Sequence, residues 1–285
     1  MALDRSDRYP GRFEDPTTAS PQGAFKNRTS PTAEDGSYFE ADWANDWDGF
    51  FARILNVAGV TPNGTVDDGT SSQLYTALMT ATPGRLLNVV TLTSSATYTP
   101  TDGTKAIKVT LTGGGGGGGG CQASSTSGTF SGAGGGAGGT VIAWITSPAS
   151  SYSVTIGTGG AGGVGANAGS AGGDSVFGTL TAGGGGGGQK AAVTSTPGGL
   201  SGTATGGLIN IRGGDGSDGQ SGTYFVTGNG GASFHGGGGR AGALGGAVAK
   251  AFGSGGGGAY DVGLSGTSYT GGAGVAGILV VEEYS

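Results

Sequence analysis

Three patterns of apolar and polar positions follow one another along the chain. From Met1 to about Gly36 the sequence is polar and punctuated by Pro10, Pro16, Pro21 and Pro31, with Tyr9, Phe13 and Phe25 recurring among the prolines. Each proline fixes its own φ and pushes its predecessor toward extended geometry. Residues 1–36 are therefore expected to form an extended arm suited to lying along another protein's surface. From Tyr38 to about Thr82, Phe39, Trp43, Trp47, Phe50, Phe51, Ile54 and Leu55 recur at spacings of three and four, which is one face of an amphipathic helix. Gly59 and Pro62 end that helix, and the stretch Asp68 to Ser72 offers an N-cap to a second one carrying Leu74, Tyr75, Leu78 and Met79. Residues 37–82 read as a short α-helical neck, whose aromatic faces must pack on each other, on symmetry mates or on a platform.

Pro83-Gly84 is a breaker pair, and strand patterns begin beyond it. Leu86–Leu92 and Ala106–Leu111 make residues 83–112 a set of linking β-strands. Further strand candidates are Thr140–Thr146, Tyr152–Ile156, Val176–Thr181, Leu208–Ile211, Tyr224–Thr227 and Ile278–Glu283, several of them alternating with period two. Between them lie the glycine tracts 113–120, 132–139, 157–173, 183–188, 198–207, 213–222, 228–246, 253–258 and 271–277. Two readings of these tracts stay open. They are either flexible loops of a β-sandwich or polyglycine II segments packed side by side, three residues per turn, each satisfying its neighbours' N–H and C=O groups. The fold class is mainly β, with residues 113–285 as a glycine-rich, sandwich-like tip domain.

Composition sharpens this picture. Glycine supplies 71 of 285 residues, against an average of about 7%. With 9 prolines and no strict G-X-Y period the chain is not a collagen, and apolar runs such as Val141-Ile-Ala-Trp-Ile145 do not suit a solvated linker. A monomer so rich in glycine has a small core for its length, which predicts a homo-oligomer. Net charge is −6 with 11% charged residues and no basic stripe, which argues against nucleic-acid binding. No apolar run approaches the roughly 20 residues of a membrane span, so no membrane insertion is expected, and no signal-type segment opens the chain. One cysteine, Cys121, and one histidine, His235, leave no intrachain disulfide and no metal-ligand cluster to expect.

The N-terminal stretch Tyr9-Pro-Gly-Arg-Phe13, then Pro21-Gln-Gly-Ala-Phe-Lys-Asn27, then Trp43-Ala-Asn-Asp-Trp47 resembles the particle-attachment region of bacteriophage tail fibres. Ala58-Gly-Val-Thr-Pro-Asn-Gly64 and Ser72-Gln-Leu-Tyr-Thr-Ala-Leu78 continue the pattern. The remainder resembles the glycine-rich tip domains of phage tail proteins, in which a strand runs into an oligoglycine tract, as at Val109-Thr-Leu-Thr-Gly113, and the domain closes on a strand like Gly277-Ile-Leu-Val-Val-Glu-Glu-Tyr284. The resemblance implies a homotrimeric tail fibre subunit, assembled in the host cytoplasm and resident in the virion tail. Its N-terminus would hold phage tail proteins through Tyr9, Arg12, Phe13, Phe25, Trp43, Trp47 and Phe50. Its C-terminal domain would bind a host outer-surface protein or glycan. Two alternatives are a structural tail or collar component that touches no receptor and a glycan-degrading tailspike.

No enzyme is expected. No tract supplies the GxxxxGK followed by Ser or Thr of a phosphate loop, so no nucleotide or other cofactor is implied. His235 and Cys121 lack a catalytic context, and the acids of the glycine-rich region, Asp174, Asp215, Asp218, Asp261, Glu282 and Glu283, are sparse for the paired carboxylates of glycan hydrolysis. The candidates for receptor contact are the large side chains stranded among glycines: Phe234, His235, Arg240, Phe252, Tyr260, Asp261 and Tyr269. Tyrosine and arginine on Gly/Ser-rich loops give rigid contact area at low entropic cost. Phe234 and Phe252 also fit the role of local core plugs.

Overall fold

The computed structural model describes residues 5–18, 23–37, 41–82, 84–190 and 196–285. Of the residues named above, Pro21, Tyr38, Phe39 and Pro83 lie outside the described residues. The chain divides into two compact units, residues 1–83 and 84–285, and among the described residues its architecture is mainly β, with several antiparallel sheets and two helices beyond the first turn of chain.

In the first unit, a turn of helix (α1, Arg5–Arg8) precedes two short strands, β1 (Phe13–Glu14) and β2 (Ala24–Phe25). These pair antiparallel with Phe13 opposite Phe25. The arm expected to be extended over residues 1–36 is thus folded back on itself. Its aromatics find one another, and Tyr9 and Phe13 become buried, which an extended arm could not offer them. Helix α2 (Ala41–Val57) follows and ends in a Schellman motif. Gly59 takes φ 68°, its N–H donates to Asn56 O at 3.1 Å, and Val60 N donates to Leu55 O at 2.9 Å. Helix α3 (Gln73–Ala81) begins at Ser72, whose Oγ accepts from Tyr75 N at 2.9 Å. The Asp67 carboxylate completes that cap by accepting from Ser72 Oγ, Gln73 N and Leu74 N at 2.6, 2.9 and 2.9 Å. Those bonds, the one from Ser72 first, hold its carboxyl below the ordinary carboxylate range.

The second unit has a sandwich and a lattice. Its strands are β3 (Leu86–Leu92), β4 (Ala96–Tyr98), β5 (Ala106–Thr112), β6 (Thr140–Thr146), β7 (Tyr152–Thr155), β8 (Ser175–Phe177), β9 (Leu180–Ala182), β10 (Ala204–Thr205), β11 (Ile209–Ile211), β12 (Gly242–Ala243), β13 (Ala259–Tyr260) and β14 (Ile278–Tyr284). One sheet runs β11-β6-β5-β14-β3 and the other β10-β9-β8-β7-β4. Period-two alternation turns Ile107, Val109, Leu111, Val141, Leu279 and Val281 of the first sheet toward Tyr98, Val154, Phe177, Leu180 and Ala182 of the second, and these side chains form the core. The expected strand Val176–Thr181 is instead a tight hairpin, with Gly178 at φ 57° between β8 and β9.

Where β5 ends, the glycine lattice begins. Gly113, Gly116 and Gly119 donate to Gly139, Gly136 and Ala133 at 2.9, 2.8 and 2.7 Å. Gly114, Gly117 and Gly120 donate to Gly173, Ser170 and Asn167, and Gly115, Gly118 and Cys121 to Val275, Gly272 and Tyr269. Every third N–H faces the same neighbour, so the tract makes one turn per three residues, as polyglycine II does. Its carbonyls are answered in the same way. Gly185 and Gly188 donate to Gly114 and Gly117, Gly160 and Gly163 to Gly115 and Gly118, and Gly256 and Ala259 to Gly116 and Gly119. The central tract is therefore ringed by neighbours on all sides, antiparallel where it donates and parallel where it accepts. Of the two readings left open by the sequence, side-by-side packing is the one observed.

Glycine is required here because it lacks a side chain. A Cβ on Gly116, Gly117 or Gly118 would overlap the carbonyl oxygen of Gly186, Ala161 or Gly257. The sandwich hands over to the lattice through buried hydroxyls: Ser175 Oγ accepts from Gly157 N at 2.9 Å and donates to Thr112 O at 2.8 Å, and Thr112 Oγ1 lies 2.9 Å from Thr140 Oγ1.

Candidate binding surface

Each straight run crosses the lattice once, the tract 157–173 turning back at 164–167 and the tract 228–246 at 233–236 and 242–245, so the connections alternate between its two ends. The central tract starts at the sandwich and reaches the far end at Cys121, about 28 Å away at about 3.1 Å per residue. At that end lie the turns 121–131, 164–167, 220–227, 242–245 and 260–270. Isolated bridges tie them together, Cys121 to Tyr269, Gln122 to Thr129, Ser131 to Tyr260 and Val164 to Thr270. At the sandwich end lie the turns around 233–236 and 250–253, beside Thr112.

The far-end turns are braced from within. Gln220 is fully buried; its Oε1 accepts from Phe130 N and Ser131 N at 2.7 and 3.1 Å, and its Nε2 donates to Gly128 O at 2.9 Å. Ser131 Oγ donates to Val226 O at 2.7 Å. Asp261 is buried and accepts from Gly263 N, Ser265 N and Ser265 Oγ at 2.9, 2.9 and 2.6 Å. The bonds from Ser265, side chain first, hold its carboxyl below its ordinary range. Cys121 is buried at the root of these turns, and burial pushes its thiol up to about 12, which makes it a small apolar residue rather than a nucleophile.

On that brace sit exposed aromatic and aliphatic side chains. Tyr224 is 77% exposed. Phe225 meets Tyr260 edge-on at 4.8 Å, and Val226, Val262, Leu244 and Val164 are also exposed on these turns. Among these turns only Asp261 carries charge, and its carboxylate is turned inward.

The candidates named from the sequence therefore separate. Tyr260, Asp261 and Tyr269 lie at the far end, Tyr260 and Tyr269 half-buried and Asp261 as part of the brace. Arg240 is exposed on a flank of the lattice, its carbonyl accepting from Ala247 N at 3.1 Å. Phe234, His235 and Phe252 are at the opposite end. His235 sits edge-on to Phe234 and Phe252 at 5.2 and 6.4 Å, with Nε2 3.1 Å from Thr112 Oγ1. Burial lowers its pKa, as expected of a neutral ring plugging the sandwich–lattice junction. The residues the sequence reading missed are Tyr224 and Phe225, taken there for a strand; only the bridge between Ser221 and Tyr224 forms.

The other acids of the glycine-rich region are engaged one by one. Asp174, Asp215 and Asp218 accept from Gly184 N, Ser201 N and Gly198 N at 2.8, 2.7 and 2.8 Å, filling acceptor positions at the lattice edge. Glu282 pairs with Lys108 at 2.8 Å, and Glu283 accepts from Tyr98 Oη at 2.7 Å.

In the first unit the residues named for attachment form one continuous array. Ring centroids step from Tyr9 to Phe13 (6.0 Å), Phe25 (5.3 Å), Trp43 (5.6 Å), Trp47 (6.1 Å) and Phe51 (5.6 Å), with Phe50 beside Phe51 at 5.4 Å. Arg12 lines an adjoining cleft.

A lattice of buried glycine tracts springing from a β-sandwich defines a glycine-rich structural domain, and the family comparison agrees. The model of the glycine-rich domain family matches residues 90–284, and the chain belongs to that family. No curated protein matches the sequence.

Proposed function

We propose that this chain is a bacteriophage tail fibre subunit, a homotrimer that attaches to the tail through residues 1–83 and presents the far end of its glycine lattice to a host-surface receptor. The observation that carries the reading is the alternation of the turns. The chain passes into the second unit beside its own C-terminus, where Gly84 N donates to Ser285 O at 2.8 Å. From there β5 and the central tract run in one direction for roughly 50 Å at about 3.4 and 3.1 Å per residue. The braced aromatic turns, whose one charged group faces inward, lie at the end of that run, away from the incoming chain. A rigid scaffold carrying adaptable loops at its end is the arrangement of a recognition surface.

The structural-component alternative offers no role for exposed Tyr224 and Phe225. The tailspike alternative requires carboxylates free to act on a sugar, whereas Asp174, Asp215, Asp218, Asp261, Glu282 and Glu283 each hold a hydrogen bond or ion pair within the chain.

The test is adsorption of labelled full-length protein to a panel of bacteria, with Y224A/F225A as the comparison. The expected result is saturable binding to some strains that blocks infection there and is lost in the variant. Folded protein that binds no strain the phage infects would return the chain to a purely structural role. Binding accompanied by clearance of surface polysaccharide would make it a tailspike.

A further inference from the structure

The charge of the chain is unevenly placed. Residues 1–83 hold six Lys/Arg against twelve Asp/Glu, and residues 84–285 hold seven of each. The whole net charge of −6 therefore belongs to the first unit. Within that acidic unit one cleft has the opposite character. Arg12, Lys26 and Arg28 line it together with Asn27 and Ser37, and Glu34 is the acid on its wall. Asp35 stands behind it, its carboxylate accepting from Thr29 N at 3.0 Å and held below its ordinary range by that bond first and by Lys26 least.

The cleft is built by the fold. Pairing of Phe13 with Phe25 sets Arg12 beside Lys26. Ser37 then joins the two segments: its Oγ accepts from Lys26 N at 2.8 Å and donates to Arg12 O at 2.5 Å, and its N–H donates to Lys26 O at 2.9 Å. Gly36 lies so close to Arg28 that a Cβ there would come within 2.6 Å of Arg28 N. Backbone contacts thus hold three cationic residues, distant in sequence, around one opening.

We propose that this cleft is the socket for an acidic segment of a neighbouring tail protein, whose carboxylates pair with Arg12, Lys26 and Arg28. The inference rests on the reading that residues 1–83 attach to the tail. Guanidinium forks suit carboxylates, which they grip through two parallel hydrogen bonds. The acidic surroundings supply selectivity, because they repel an anionic segment everywhere except at the cleft and so fix where it lands. The aromatic array from Tyr9 to Trp47 lies next to the cleft through Phe13 and Phe25, which places apolar contact area beside the charged socket.

The test uses the full chain and two readouts. The first is fluorescence anisotropy of a labelled ten-residue Glu-rich peptide titrated with wild type and with K26Q/R28Q, after thermal melting has shown that the variant keeps the wild-type transition. The second is attachment of the same proteins to fibre-less particles at low and high salt. The expected result is saturable peptide binding that weakens about tenfold or more in the variant and falls with salt, with particle attachment following it. Peptide binding that is absent, or equal in wild type and variant, overturns the socket even if the chain attaches to particles, and attachment then rests on the aromatic array. Peptide binding lost in K26Q/R28Q, without attachment of the wild type to particles, upholds the socket and overturns the tail-anchoring reading instead.

Discussion

The two units of this chain reach a folded state by opposite means. In residues 84–285 the backbone is the building material: N–H and C=O groups of neighbouring tracts answer each other every third residue, and side chains matter mainly by being absent. In residues 1–83 the side chains are the material, and much of what they offer is uncovered. Helix α2 carries Trp43, Trp47, Phe50, Phe51, Ile54 and Leu55, yet none of its residues is buried. A lattice closes on itself within one chain, whereas an aromatic helix without a buried residue leaves apolar surface uncovered. The proposed trimer is therefore assigned to the first unit and the self-sufficient fold to the second.

The sharpest way to break this comparison is to give the lattice a side chain. Gly118→Ala places a methyl group onto the carbonyl oxygen of Gly257 in the middle of a fully surrounded tract. Overpacking a core usually costs about 1–3 kcal/mol; here backbone must give way rather than side chain, so a loss above about 3 kcal/mol or outright failure to fold is expected. One residue on, the contrast tests the cause. A Cβ on Gly119 meets its nearest atoms, Ala133 N and the carbonyl oxygens of Gln189 and Gly188, at 3.2–3.3 Å, so Gly119→Ala should cost clearly less. Gly237, with open space around its Cβ position, should tolerate alanine with little change. Equal melting temperatures for all three variants would mean that the lattice does not hold the unit together.

How much of this was legible in the sequence follows from the same contrast. The helices were readable because aromatic residues at spacings of three and four leave one interpretation, and the Gly59 stop and Ser72 start obey local chemistry. The sandwich strands were readable from alternation. The lattice was visible as an option only, since a glycine run is silent about its neighbours and hydrogen bonds between tracts are remote in sequence. Its logic was nonetheless available. Once tracts are taken to cross a lattice singly, their turns must alternate between ends, which puts Phe234-His235 and Phe252 at the sandwich and Tyr224, Phe225 and Tyr260 at the tip. Tyr224–Thr227 reads as a strand because a short run of aromatic and β-branched residues looks the same in a turn. The folded-back arm escaped notice because prolines report local φ and not the pairing of Phe13 with Phe25.

The uncovered helix gives the second test. Phe50 and Val57 are 55% and 54% exposed on α2. If self-association covers them, F50E/V57E should convert the oligomer to monomers by light scattering while the thermal transition of the glycine-rich unit stays in place. Dissociation accompanied by unfolding of the lattice would show that the two units are not independent, and the comparison would fail.

A third, smaller effect concerns the junction. His235 is half-buried beside Thr112 and its pKa is lowered by that burial. Below its unfolded value of about 6.5 the unfolded chain binds the proton more readily than the folded one. Stability should therefore be complete above that pH and decline as pH falls beneath it. Melting temperature against pH for wild type and H235Q checks this: the part of the decline just below pH 6.5 should vanish in the variant.

The smallest effect expected comes from the lattice edge, where a side chain does a backbone's task. Asp215 and Asp218, three residues apart, accept from Ser201 N and Gly198 N, also three apart, so the carboxylates continue the lattice spacing in place of backbone acceptors. The bond from Ser201 N holds the Asp215 carboxyl below its ordinary range. That stabilisation is present above about pH 3.9 and is lost as pH falls through the lowered folded value. Because the site is exposed, water can replace the lost acceptor, and D215A should cost less than about 1 kcal/mol. D215N keeps an oxygen facing Ser201 and should cost less still. If D215A instead destabilised the unit as much as Gly119→Ala, the edge would be as essential as the interior, and the lattice would depend on side chains after all.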